Sequence, residues 1–162
     1  MSLKQGDRLP DATLLAIDDE GPRQVSLNER LAGRKVVIFG LPGAFTPTCD
    51  SAHVPSFIRT RDAFAKKGVD EIICVAVNDP HVMRYWGKTS GAAEAGITML
   101  SDADASFTKA IGMNFTAEAV GFYDRSMRYA LYAEDGEVKV LHMEEARGVC
   151  ERSGGEALLA AI

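Results

Sequence analysis

The chain has 162 residues and a mass of 17.5 kDa, with 46% hydrophobic, 25% charged and 7% aromatic residues. That length suits one domain over residues 1–162, able to bury roughly 70% of its unfolded surface without disulfide staples, and the composition excludes disorder, collagen-like repeats and coiled coil. With 18 basic against 23 acidic residues, a net charge of −5 and no basic run longer than Lys66-Lys67, nothing offers the concentrated positive face a nucleic-acid partner requires.

The first residues, from Leu3 to Asp7, contain no apolar signal region, and no apolar run approaches the ~20 residues of a membrane span. The 3 cysteines are odd in number and have no close pairing, so a reduced, cytoplasmic protein away from membranes is expected. Asp18-Asp19-Glu20-Gly21-Pro22 reads as a turn. Two short apolar runs, residues 36–39 and 72–77, are rich in β-branched side chains, as strands buried on both faces of a parallel sheet are. Between them, Val54, Phe57, Ile58, Phe64 and Ala65 recur at helical spacing, so residues 47–67 form a helix. Pro55 inside it predicts a kink, because its ring meets the carbonyl of Ser51.

Asp79 caps a second helix that begins at Pro80 and runs to Ser90. A short strand over 97–100 and a short helix over 105–111 follow. Residues 129–133 and 138–142 flank Asp135-Gly136, a strong hairpin signal, and a last helix covers 156–162. The order is that of a thioredoxin-like α/β fold, a central mixed sheet flanked by helices.

The chemistry concentrates in Pro42-Gly43-Ala44-Phe45-Thr46-Pro47-Thr48-Cys49, just past the end of a buried strand, where open α/β sheets place their sites. With Thr46 as N-cap and Pro47 as first helical residue, Cys49 falls in the first helical turn. There, free backbone N–H groups and the helix dipole favour the nucleophilic thiolate. Dithiol exchange is excluded because Thr46 and Ala52 stand where a Cys-x-x-Cys partner would be. Metal binding by Cys49 and His53 lacks two further ligands at usual spacing. A Cys/His hydrolase needs a ring-orienting partner that is not evident, and His53 reads as a structural residue near the kink. Thr48 also reads as structural. What remains is attack on a peroxide oxygen, with sulfur oxidised to sulfenic acid, a hydroxyl from Thr46 and a cation from elsewhere in the chain.

At this point the sequence resembles the type-five peroxiredoxins, called type II in plants. Their signature Pro-x-x-x-Thr-x-x-Cys is present as Pro42, Thr46 and Cys49. The likeness continues through His53-Val54-Pro55-Ser56-Phe57, Val77-Asn78-Asp79-Pro80 and Arg125-Ser126-Met127-Arg128-Tyr129-Ala130. It implies that Arg128 is the active-site arginine, whereas Arg125 reads as a solvated hairpin residue. It further implies that Pro42 shields the pocket, and that Gly43, Ala44 and Phe45 line it and join a homodimer contact. Small peroxides are the implied substrates, with glutathione and glutaredoxin, or thioredoxin, as reductant, and no cofactor or metal.

A sulfenic acid is resolved by a thiol. Cys74, within an apolar strand, reads as an inert core residue. Cys150 lies in a polar loop where some animal members resemble this chain in carrying a resolving cysteine. It sits about two residues before theirs, and a bridge to Cys49 needs Cα atoms within about 7 Å. The alternative function is a thioredoxin-fold redox sensor or binding protein, in which Cys49 oxidation alters a partner interface without turnover.

Overall fold

The computed structural model describes residues 2–146 and 148–162. Its main sheet has seven strands in the order β2-β1-β5-β4-β3-β8-β9, and β6 and β7 form a separate two-stranded ribbon. The centre is β3 (Lys35–Gly40) and β4 (Glu71–Ala76), paired in parallel. β5 (Thr98–Ser101) extends the parallel part, and β8 (Tyr129–Glu134) runs antiparallel to β3 on the other side. β9 (Glu137–Met143) closes that edge through Asp135-Gly136, whose positive φ angles of 49° and 79° suit a two-residue hairpin.

Alternation along the central strands divides the core in two. Val36, Ile38, Ile73, Val75, Leu131 and Ala133 face one layer with Leu14, Leu100 and Phe107. Val37, Phe39, Ile72, Cys74, Ala76 and Ala130 face the other, beneath three helices. Those are α2 (Val54–Lys66), α3 (Pro80–Ser90) and α5 (Gly155–Ala161), which contribute Phe57 and Phe64, Met83 and Trp86, and Leu158. Phe57 stacks on Phe39 with ring centroids 4.1 Å apart, fixing α2 over the end of β3. On the other layer, α1 (Leu27–Leu31) and α4 (Ser106–Ala110) are single short helices.

The predicted central strands, the α3 cap and the β8–β9 hairpin are all present. The Asp79 carboxylate accepts from the Val82 N–H at 3.0 Å. Three things differ. The stretch around the 18–22 turn forms a hairpin, β1 (Thr13–Asp18) and β2 (Gly21–Ser26), on the sheet edge. β6 (Asn114–Ala117) and β7 (Phe122–Ser126) form the ribbon that leads into β8. The kink expected at Pro55 is a π turn over Cys49–His53, closed by the Val54 N–H on the Cys49 carbonyl. Proline has no N–H for the Ser51 carbonyl and crowds it, so the chain takes one extra residue in the turn before α2 begins. No described helix is long and apolar enough to cross a membrane.

Candidate active site

β3 ends at Gly40, and the next residues bring Cys49 to the mouth of the helix that opens at Pro47. The β3–β8 register sets Gly40 opposite Tyr129, so Arg128, one residue before β8, stands over the segment that follows β3. Gly40 has to be glycine, because a β-carbon there would run into the buried Tyr129 ring. Cys49 and Arg128, 79 positions apart, are thereby brought together: Nη2 of Arg128 donates to Cys49 Sγ at 3.3 Å. Both are buried, Cys49 completely and Arg128 at 4% exposure.

His53 completes the group. Arg128 Nη1 lies 3.0 Å from His53 Nδ1, and His53 Nε2 lies 3.0 Å from the Ser153 carbonyl oxygen. A guanidinium only donates and a carbonyl only accepts, so the ring carries its proton on Nε2 and accepts at Nδ1. Burial, then the neighbouring Arg128 charge, lowers its pKa to about 3, so the ring stays neutral. Both nitrogens are committed, which leaves His53 no base for a Cys/His hydrolase. The third guanidinium nitrogen, Arg128 Nε, is buried with no partner.

Thr46 takes up a different bond from the one expected of an N-cap. Its hydroxyl donates to the Gly43 carbonyl at 2.7 Å, while its own carbonyl accepts from the Asp50 N–H at 2.9 Å. A hydroxyl that donates inward keeps its lone pairs for a ligand. Thr46 and Arg128 line a cavity of about 480 Å³ with Pro42, Pro47, Thr48, Val120, Phe122 and Gly148. Pro42 forms part of the wall of that cavity.

Gly43, Ala44 and Phe45 are not among the residues lining that cavity. The Ala44 N–H donates to Asn78 Oδ1 at 3.0 Å, and Gly43 lies beneath Arg125. Phe45 has a φ of 65° and turns outward, 48% exposed, beside Tyr85. Arg125 is likewise not the solvated residue it was taken for. It is half-buried, donates to the Pro42 carbonyl at 2.9 Å and stacks its guanidinium over Phe122 at 5.1 Å. Burial lowers its pKa. Asp50, next to Cys49 in the chain, accepts from the Trp86 indole N–H at 2.7 Å.

The other cysteines differ in setting. Cys74 is fully buried in β4, and burial raises its pKa well above the usual value, as an inert core thiol requires. Cys150 is free and half-buried in the loop before α5, its pKa raised chiefly by burial. That loop reaches the site through Thr48, whose hydroxyl donates to the Gly148 carbonyl at 3.2 Å, and through Ser153.

A family model described as Redoxin matches residues 4–159. Chloroplastic peroxiredoxin-2E-2 of Oryza sativa subsp. japonica is 46% identical over 97% of this chain and 71% of its own length. Chloroplastic peroxiredoxin-2E of Arabidopsis thaliana is 40% identical over 99% of the chain and 70% of its own. Among solved structures, reduced Prx3 of Vibrio vulnificus in complex with hydrogen peroxide superposes with a TM-score of 0.90 at 46% identity, covering 98% of both chains. The chain belongs to the redoxin family and, within it, to the peroxiredoxins. It is a thiol peroxidase, an oxidoreductase that consumes peroxides at the expense of thiols. Membership sets aside the sensor alternative. The cytoplasmic address is overturned as well, since both plant relatives are named chloroplastic. Cysteine content reports a reducing environment, and more than one compartment provides it.

Proposed function

We propose that Cys49 is the peroxidatic residue and that hydrogen peroxide and small alkyl hydroperoxides are its substrates. The observation that carries this is the 3.3 Å bond from Arg128 Nη2 to Cys49 Sγ inside a buried site. A cation donating to sulfur favours the thiolate, the nucleophilic form. The hydroperoxide enters from the cavity bounded by Thr46 and Arg128, its O–H donating to the Thr46 hydroxyl and an oxygen accepting from Arg128 Nε–H. The thiolate attacks the nearer oxygen. The S–O bond forms, the O–O bond breaks, and the leaving oxygen departs as alkoxide or hydroxide and takes up a proton. Sulfur loses two electrons and becomes sulfenic acid. Arg128 stabilises the charge growing on the leaving oxygen. Support for hydrogen peroxide as a substrate comes from the Vibrio vulnificus protein, whose reduced form was solved in complex with it.

A second thiol then attacks the sulfenic sulfur, expelling water and leaving a disulfide. Cys150 is the internal candidate, and glutathione with glutaredoxin, or thioredoxin, the external one. The whole chain acts as one domain, and two copies pair through the outward-facing Phe45. Peroxide consumption with a thiol reductant, measured for wild type, Cys49→Ser and Arg128→Ala, tests the assignment. Cys49→Ser is expected to lose turnover, and Arg128→Ala to fall by about 100-fold or more. Normal turnover in Cys49→Ser would overturn the assignment.

A further inference from the structure

Glu144 lies in the loop between β9 and α5, is only 8% exposed, and has no place in the chemistry above. Its carboxylate gathers one short stretch of chain. Oε2 accepts from the Glu151 N–H at 2.9 Å, the Ser153 N–H at 2.7 Å and the Ser153 hydroxyl at 2.5 Å, and Oε1 accepts from the Arg152 N–H at 3.3 Å. Burial alone would push the carboxyl's pKa up. The Ser153 hydroxyl and the three backbone N–H groups outweigh it and hold the pKa below the usual value. The Glu144 N–H donates to the Arg128 carbonyl at 3.2 Å, so one residue grips both the arginine's backbone and the 151–153 strip.

That strip ends on the active site. The peptide after Ser153 points its oxygen at His53 Nε2, and His53 Nδ1 faces Arg128 Nη1. A carbonyl at Nε2 obliges the ring to carry its proton there, which leaves Nδ1 as an acceptor for the guanidinium. Were the ring to hold its proton on Nδ1, two N–H groups would meet and Arg128 would be pushed off its present position. The plane of the guanidinium, and with it the Nη2 bond to sulfur, therefore depends on where the Ser153 carbonyl points.

We infer that Glu144 is a positioning residue for Arg128, acting through Ser153 and the neutral His53 ring to aim the guanidinium at Cys49. This rests on Cys49 and Arg128 being the peroxidatic pair. The Glu144 side chain is not among the groups lining the cavity around Thr46; Glu144 instead borders a neighbouring cavity with Pro42 and Arg128. Its negative charge matters because four donors converge on it. A neutral amide in its place would turn at least one N–H toward those donors and release part of the strip.

The test uses the full-length protein and three variants, with the second-order rate of peroxide consumption, the melting temperature and the ¹⁵N tautomer signature of His53 as readouts. Glu144→Gln is expected to slow the reaction by about tenfold to a hundredfold, the scale of a small misplacement of a reacting group. Glu144→Asp, which keeps the charge, should recover most of that rate, whereas Ser153→Ala should lose a smaller part in the same direction. Wild type should show the proton on Nε2 of His53. A folded Glu144→Gln protein with wild-type rate, or a wild-type His53 protonated on Nδ1, overturns the inference. Should Glu144→Gln fail to fold, Ser153→Ala and the wild-type tautomer carry the decision. If wild type consumes no peroxide, or Cys49→Ser is as fast as wild type, the peroxidatic assignment fails instead.

Discussion

Among single side chains, His53 carries a measurable signature. It is neutral when folded, with a pKa of about 3, against 6.5 for a free ring. Between those values the unfolded chain binds a proton that the folded chain refuses. The stability it contributes is complete above pH 6.5 and is lost as pH falls toward about 3, at about 1.4 kcal/mol per pH unit. An ordinary glutamate carboxyl has a pKa of 4.5, so carboxylates such as Glu144 contribute mainly below about pH 5, and in urea unfolding between about pH 6.5 and 5 the imidazole dominates. His53→Gln should flatten that slope, and an unchanged slope would contradict the buried neutral ring. Arg125 offers a second expectation. Removing its guanidinium in Arg125→Met frees the Pro42 carbonyl, and Gly43→Ala would put a methyl against Nη1. Each should lower the rate of peroxide consumption by about tenfold or more through loss of loop position. Wild-type rates in both would show that Arg125 holds nothing of catalytic use. Neither role was legible from local sequence. Thr46 and Cys49 announce themselves by their spacing at a strand-to-helix turn. Arg128, Arg125 and Glu144 meet that turn only through strand register and a long loop, and no periodicity records such meetings.

Among the elements, the buried ones were the legible ones. β3 and β4 are apolar on both faces and β8–β9 has its Asp-Gly turn, so pattern and position agree. The edge hairpin was not legible, because β2 opens with the polar, exposed run Pro22, Arg23, Gln24 and only Val25 is buried. The ribbon of β6 and β7 is similarly short and interrupted by a register shift between Phe115 and Ala117. The π turn shows a local rule satisfied in an unexpected way: Pro55 did disturb the helix, and the disturbance takes the form of an extra residue in the turn. The docking of α5 on α2 gives the expectation that belongs at this scale. Gly155 has its N–H on Ser56 Oγ at 2.8 Å, and a β-carbon there would collide with the Ser56 carbonyl and the Thr60 hydroxyl. Gly155→Ala should cost about 1–3 kcal/mol, read as a lower urea midpoint. An unchanged midpoint would mean the two helices can separate freely.

For the whole molecule, the surface near the site is unusually aromatic. Phe45 and Tyr85, at 48% and 63% exposure, lie with ring centroids 6.2 Å apart, and Phe45 is held outward by a left-handed backbone that a phenylalanine rarely adopts. Covering that face with a second copy would bury both rings. Phe45→Glu is therefore expected to shift sedimentation toward the single-chain species. A variant that sediments like wild type would remove Phe45 from the contact. The two core layers explain why such a change should leave the fold intact, since neither ring belongs to them.

The bond between Asp50 and Trp86 has a practical consequence. The chain has 1 tryptophan, fully buried, and its indole N–H is held by the residue next to Cys49, whose sulfur is the proposed nucleophile. Any rearrangement of the turn when that sulfur gains oxygen will alter the polarity around the indole. The protein is thus its own optical gauge: intrinsic emission, followed after rapid mixing, times the chemistry without a dye, a coupled enzyme or a label.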